Sequence, residues 1–181
     1  MKKEIRICGF GGQGVILSGF IIGKATSVFM DYHAVQSQSY GPEARGGAAR
    51  SEVIISDEKI GYPRPTSVDF FIAMSQEAFD TYRKDIRKDT VIVVDPDLVP
   101  KNNIGQPVHK VHAQQIAEKL GNKIVTNIVM VGAATAILDL LDHDAVRKAV
   151  IDSVPKRFID LNKEAFEKGL EAGKNARKEL Q

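Results

Sequence analysis

Cysteine is almost missing from this chain of 181 residues, and Cys8 stands alone. A disulfide framework within the chain is excluded, and a cytoplasmic setting is expected. A single thiol also excludes an iron–sulfur cluster, which takes about four cysteine ligands, and a cysteine-built zinc site. The expected role of Cys8 is that of a small buried apolar residue. Tryptophan is absent and aromatic residues make up only 7%, so the core is expected to be aliphatic. Charge of one sign is lacking too: 25 basic and 23 acidic residues leave +2, without the clustered basic face that nucleic-acid binding needs. No uninterrupted apolar run has the length of a membrane span. The longest, Ile124 to Leu141, carries Thr126, Asn127, Thr135 and Asp139 and reads as a buried core helix. Met1-Lys2-Lys3 is basic, but Glu4 and Arg6 break any apolar region of a signal peptide.

What is present is ordinary for a globular chain, at 43% hydrophobic and 27% charged residues. The length suffices for one α/β domain with its own core, and no repeat or internal boundary divides residues 1–181. Glu4 to Cys8 predicts a first strand, and Val15 to Met30 a helix with almost no polar stripe. A helix apolar all round is covered on all sides, part of that cover being expected from another subunit. Gly19 and Gly23 lie four apart on it, each costing about 1 kcal/mol relative to Ala, and imply close approach to a sheet or partner. A second strand is expected from Tyr32 to Gln38. Ser51–Ser56 with Ile60-Gly61-Tyr62, turned by Asp57-Glu58-Lys59, reads as a hairpin.

Asp69–Met74 reads as a buried strand, Val91–Asp95 as another, a continuous β-branched run of the parallel-sheet type, and Val108–Val111 as a short strand. Helices are expected from Ser75 or Gln76 to Asp85, from Gln114 to Leu120, from Ile128 to Leu141 with Asn127 as cap, from Asp142 or Asp144 to Val154, and from Lys156 nearly to the end. Together they predict an α/β three-layer fold with a mostly parallel, Rossmann-like sheet, an inserted hairpin and a helical C-terminus.

Two glycine-rich stretches carry the chemistry. Gly9-Phe10-Gly11-Gly12-Gln13-Gly14 lies between the first strand and first helix, the geometry that sets backbone N–H groups and a helix N-terminus before an anion. Its spacing fits a dinucleotide fingerprint. That fingerprint needs an acid at the end of the second strand, and Gln36-Ser37-Gln38-Ser39 offers none; Asp31 precedes the strand. Gly9 and Gly14 also have P-loop spacing, but Val15 and Ile16 stand where Lys and Ser/Thr belong, which argues against nucleotide hydrolysis. A backbone anion cradle remains, with Gln13 adding a side-chain amide, beside the plainer alternative of a tight strand-to-helix turn.

The second stretch, Tyr40-Gly41-Pro42-Glu43-Ala44-Arg45-Gly46-Gly47, tips the balance toward a ligand. Gly41-Pro42 makes a rigid turn, Gly46-Gly47 permits close approach, Tyr40 supplies a flat surface, and Arg45 offers a planar fork for phosphate or carboxylate, with Glu43 beside it. A local Glu–Arg surface pair is the simpler alternative.

These residues carry a resemblance. Gly11-Gly12-Gln13-Gly14, the Tyr40–Gly47 stretch and Ser51-Glu52-Val53-Ile54-Ile55-Ser56, with Asp69, Gln76-Glu77-Ala78, Asn127, and Asn162, Ala165-Phe166 and Gly169, resemble the gamma subunits of the 2-oxoacid:ferredoxin oxidoreductases over nearly the whole chain. The form of the second stretch is most similar to the 2-oxoglutarate branch; pyruvate, branched-chain 2-oxoacids and indolepyruvate use related subunits.

The resemblance implies a single gamma-type domain in a cytoplasmic, heteromeric enzyme. That enzyme converts a 2-oxoacid, coenzyme A and oxidised ferredoxin to acyl-CoA, CO2 and reduced ferredoxin. It implies alpha, beta and delta-type partner subunits that carry thiamine diphosphate, Mg2+ and 4Fe-4S clusters, with no catalytic or metal-binding residue in this chain, which is inactive alone. It implies contacts to coenzyme A by Gly11, Gly12, Gln13 and Gly14 and by Tyr40, Gly41, Glu43, Arg45, Gly46 and Gly47, for binding rather than proton transfer. Backbone cradles and arginine forks suit the phosphates of that cosubstrate. Two rivals remain: a free-standing nucleotide-binding oxidoreductase, and a purely structural assembly subunit.

Other polar residues read as structural. His109 and His112 are expected on one strand, facing opposite sides, and Asp95-Pro96-Asp97 as loop chemistry. Arg50 and Glu52 are expected either to pair across the hairpin or to meet a partner. The C-terminal charge run reads as a solvated helix face.

Overall fold

The computed structural model describes residues 1–40 and 47–180, the side chain of Tyr40 excepted. Six strands form one mixed sheet: β1 (Lys2–Phe10), β2 (His33–Tyr40), β3 (Ala48–Ser56), β4 (Phe70–Ala73), β5 (Val91–Val94) and β6 (Val108–Lys110), in the order β2-β3-β1-β4-β5-β6. The β1–β4, β4–β5 and β5–β6 pairs are parallel, while β3 runs antiparallel to both β1 and β2. The helices are α1 (Val15–Phe29), α2 (Gln76–Tyr82), α3 (Ala113–Lys119), α4 (Thr126–Ile137), α5 (His143–Ser153) and α6 (Ile159–Glu179), with short 3-10 turns at Lys123–Val125 and Lys156–Phe158.

Alternation along the strands divides the core in two. Ile5, Ile7, Val53, Ile55, Ile72 and Val93 point to the side that packs with α1, α4 and α6. Cys8, Phe71, Ala73, Ile92 and Val94 point to the other, where Ala78 and Phe79 of α2 and Val99 of the following loop cover them. This is the three-layer arrangement expected from strands alternating with helices. Ser75 caps α2 by accepting the Ala78 N–H at 3.3 Å, and Asp142 caps α5 by accepting that of Ala145 at 2.8 Å.

Several local expectations are corrected. The hairpin partner of β3 is β2, with Gln36 opposite Val53 and Tyr40 opposite Ala49. Residues 60–62 form no strand, because both edges of β3 are already taken by β1 and β2. The second strand therefore pairs antiparallel, yet it runs in the same direction as β1. Ala49 faces both Gly9 and Tyr40, so the carboxyl ends of β1 and β2 share one edge of the sheet.

Asn127 is no cap either. It sits in the first turn of α4, and Asn122 instead caps the 3-10 turn by accepting the Ile124 N–H at 3.0 Å. The helix ends at Ile137, short of Leu141, where Leu138 turns to extended geometry. His112 lies past β6, directly before α3.

Every residue of α4 from Asn127 to Ile137 is buried, and close packing against α6 depends on glycine. An added Cβ at Gly169 would strike the carbonyl of Val129, and one at Gly132 that of Phe166. Gly19 of α1 likewise lets the helix approach Ser51 of β3, whereas Gly23 has only ordinary contact with Val53. Phe20 and Val28 of α1 remain 49% and 61% exposed. The helix is thus covered by β1–β3 and α5 on one side and open on the other.

Candidate functional site

The strand-to-helix turn after β1 is built from its own backbone. The Gly11 N–H donates to Gly47 O and that of Gln13 to Phe10 O, both at 3.0 Å. The first bond ties the two glycine-rich stretches together at the carboxyl edge of β1 and β2. Gly12 and Gly14 have φ of 100° and 75°, a region costly for residues with a Cβ. Gly14 is the N-cap of α1 and gives it no side-chain cap, so the early N–H groups of the helix face outward as an anion-attracting end.

The Gln13 amide fastens this turn. Its Oε1 accepts the Phe10 N–H at 2.5 Å and its Nε2 donates to Met74 O at 2.8 Å. Asn127 supports it from α4, donating through Nδ2 to Gly14 O at 3.3 Å. Beyond the turn opens a mostly apolar groove of about 270 Å³, bounded by Gly12, Gly14, Leu17, Ile124, Pro155 and Phe158. Ile124 is 80% exposed on its rim. Of the remaining expected contacts, Gly47 meets the turn through its carbonyl; Gly41, Glu43, Arg45, Gly46 and the side chain of Tyr40 lie outside the described residues.

The acid that a dinucleotide site would need is at the wrong end. Asp31, at φ 58°, precedes β2, whose first residue faces Ser56 beside Lys2 at the opposite edge of the sheet. The length of a strand, roughly 25 Å, separates it from the glycine turn.

Sequence reasoning missed a polar network on the α2 side of the sheet. Arg6 is buried and donates from Nε to Glu52 Oε1 at 2.7 Å, from Nη1 to Tyr82 O at 2.8 Å and Asp85 Oδ1, and from Nη2 to Asp85 Oδ2 at 3.0 Å. The Arg6 guanidinium holds the Asp85 carboxyl below the usual carboxylate range. Glu4, also buried, accepts the N–H groups of Thr66 and Ser67 at 2.7 and 2.5 Å. The signal was in the sequence: Glu4, Arg6 and Cys8 are two apart on a strand and so share one face. Arg50 and Glu52 are likewise two apart on β3, with Nε and Oε2 separated by 3.7 Å.

Asp95, Asp97 and His112 bring their ligand atoms within 4.8 Å of one another. Their hydrogen bonds explain this as local architecture. Asp95 accepts the N–H groups of Asp97 and Gln114 at 3.0 and 2.8 Å, tying the loop to the start of α3. Asp97 Oδ2 meets His112 Nδ1 at 2.8 Å and Gln115 Nε2 at 2.9 Å. Burial raises the Asp95 pKa, which the two backbone donors partly offset.

Comparison with known proteins places this geometry. The family model for pyruvate ferredoxin/flavodoxin oxidoreductase matches residues 4–172. The chain is 46% identical over 178 residues to a 2-oxoglutarate synthase subunit of Methanocaldococcus jannaschii, covering 96% of this chain and 95% of the relative. The crystal structure of a keto/oxoacid ferredoxin oxidoreductase gamma subunit from Geobacter sulfurreducens superposes with a TM-score of 0.88 at 42% identity, over 97% of this chain and 98% of that one. A 2-oxoglutarate:ferredoxin oxidoreductase from Magnetococcus marinus, solved with 2-oxoglutarate, coenzyme A and succinyl-CoA bound, superposes with a TM-score of 0.86 at 25% identity. There the match spans 96% of this chain but 31% of the longer one.

Proposed function

Because the chain belongs to the pyruvate ferredoxin/flavodoxin oxidoreductase family, we propose that it is the gamma subunit of a 2-oxoglutarate:ferredoxin oxidoreductase. The complex takes 2-oxoglutarate, coenzyme A and oxidised ferredoxin to succinyl-CoA, CO2 and reduced ferredoxin. The observation that carries this reading is the full-length identity of 46% with a 2-oxoglutarate synthase subunit. In the longer relative, the matching part is about a third of one chain. A free gamma domain must dock the missing parts through its surface, and the uncovered side of α1 at Phe20 suits that role.

The redox and carbon–carbon chemistry belongs to those other parts. One cysteine, fully buried on β1, does not fit a 4Fe-4S cluster. Such clusters, with thiamine diphosphate and Mg2+, are assigned to the alpha, beta and delta-type subunits, and ferredoxin is the external electron acceptor. Among the described residues no helix is long and apolar enough to cross a membrane, in keeping with a cytoplasmic complex.

This chain binds and positions coenzyme A. Gly12 and Gly14 turn toward its diphosphate together with the N-terminus of α1, while Gly11 and Gln13, whose N–H groups bond to Gly47 O and Phe10 O, hold the turn in shape for that contact. Tyr40, Gly41, Glu43, Arg45, Gly46 and Gly47, tied to them by the Gly11–Gly47 bond, complete the contact, and the apolar groove past Gly12 suits the pantetheine arm. Residues 1–181 act as one domain in this role. No proton transfer is asked of the chain, only orientation of the thiol toward the neighbouring subunits.

The test is purification of the complex from its native cell and assay with a panel of 2-oxoacids. Partners carrying thiamine diphosphate and iron–sulfur clusters should accompany the chain, and 2-oxoglutarate should be the preferred substrate. A solitary chain, or one that carries flavin or nicotinamide, would contradict the reading. In the assembled complex Arg45→Ala should weaken coenzyme A use by about 1–3 kcal/mol, and a change in assembly alone would favour a purely structural subunit.

A further inference from the structure

The opposite face of the same sheet edge holds a second arrangement of donors. Register places Arg50 between Cys8 and Ser39, and Glu52 between Arg6 and Ser37. All of these lie on the α2 side of the sheet. Arg6, Ser37, Ser39, Arg50 and Glu52 bound a cavity of about 390 Å³ that also takes in Arg64 and Asp85.

Donors outnumber acceptors in this cavity. Arg6 is engaged through all three of its side-chain nitrogens by Glu52, Asp85 and Tyr82 O. Arg50 is not. Its Nε is buried and without a hydrogen-bond partner among the described residues, and Glu52 Oε2 at 3.7 Å is beyond hydrogen-bond reach. A buried donor left unmade is costly, and such exceptions ask for an explanation.

The Arg50 guanidinium is also held in place. It stacks on the Tyr82 ring at 5.1 Å, and the Tyr82 hydroxyl is anchored by donating to Ala48 O at 3.1 Å. A rigid planar fork, a second arginine and the hydroxyls of Ser37 and Ser39 match a tetrahedral oxyanion with several acceptors. We propose that this cavity is a phosphate-binding site, with Arg50 as its central ligand and Arg64 as the outer one. Its position follows from the strands: Cys8, opposite Arg50, is two residues before Phe10 and hence about 7 Å along β1 from the glycine turn. The site stands on its own donors and does not depend on the coenzyme A reading. Coenzyme A is one source of a phosphate group, and a free phosphate or diphosphate is the other.

The test uses the full chain and inorganic pyrophosphate, followed by titration calorimetry and phosphorus NMR at low ionic strength. Saturable binding is expected. It should weaken about tenfold or more in Arg50→Gln, by a smaller factor in Arg64→Gln, and recover only in part in Arg50→Lys, which restores charge without the fork. Lys168→Gln, on the distant exposed face of α6, should bind as the parent does, and circular dichroism establishes that each variant is folded. Displacement of pyrophosphate by coenzyme A would name coenzyme A as the source, and binding without displacement would name a free phosphate. Either supports the site. Failure of displacement would also leave the coenzyme A reading to be judged on the kinetics of the complex. No saturable binding to the parent chain, or equal binding in Arg50→Gln and Arg64→Gln, would overturn the proposal and leave the cavity to an acidic side chain of another subunit.

Discussion

The side-chain amide of Asn127 donates to the carbonyl of Gly14 at 3.3 Å, joining α4 to the glycine turn across more than half the chain. The contact is so close that a Cβ added at Gly14 would collide with that amide, at a backbone angle of 75° that a side chain already disfavours. Gly14→Ala should therefore lose about 1–2 kcal/mol from the left-handed conformation alone, and more from the collision. Truncating Asn127 to Ala removes the obstacle, so the double variant should be less destabilised than the sum of the single ones, by about 0.5–3 kcal/mol. Urea denaturation of the four proteins of this cycle measures it. Strict additivity would show that the two residues are not in contact.

The α4–α6 interface makes a sharper prediction about packing. Gly169→Ala sets a methyl group against Val129 O and should cost about 1–3 kcal/mol as overpacking. Gly61→Ala, with nothing near its added carbon, should stay within about 0.5 kcal/mol of the parent. The difference between their denaturation midpoints is the measurement.

Cys8 is fully buried, and burial raises its pKa well above the usual thiol value. At pH 8 the native chain should resist iodoacetamide, and modification should follow only after unfolding. Mass spectrometry with and without denaturant reads this directly. Rapid labelling of the native protein would contradict the burial.

His109 predicts the acid side of the stability curve. Burial lowers its pKa below the ordinary histidine value, although the hydrogen bond to Ala176 O, at 3.2 Å, pulls the other way. The unfolded chain thus takes up the proton more readily. The contribution of His109 to stability is complete above the unfolded value of about 6.5 and is lost as pH falls from there through the lower folded value. Thermal midpoints between pH 8 and pH 5 should fall less steeply in His109→Gln than in the parent.

Much of this was legible in the residues, and the exceptions share a cause. The β-branched run at Val91–Val94 declared itself as a buried parallel strand and Phe70–Ala73 as a buried strand, and the glycines after β1 as a tight strand-to-helix turn. The partner of β3 did not, because Ile60-Gly61-Tyr62 looks like a return strand until β2 is seen to occupy that edge. Pairing across a sheet is a non-local property. Asn127 misled for the same reason: its position before an apolar run mimics a cap, while its bond is to Gly14. The polar face of Arg6, Glu52 and Arg50 was written in a two-residue period, but the meaning of that period emerged only once β1 and β3 lay side by side.

The central claim is that the glycine turn positions coenzyme A for the neighbouring subunits. Gly12 tests it most directly, since its φ of 100° and the open space around it put any added side chain where the ligand is held to lie. The measurement is the KM for coenzyme A and for 2-oxoglutarate in the assembled complex carrying Gly12→Val, with subunit content verified by gel filtration. The account predicts a rise of about tenfold or more in the coenzyme A value, equivalent to about 1.4 kcal/mol, with the 2-oxoglutarate value little changed. An unaltered coenzyme A KM in an intact complex would contradict it.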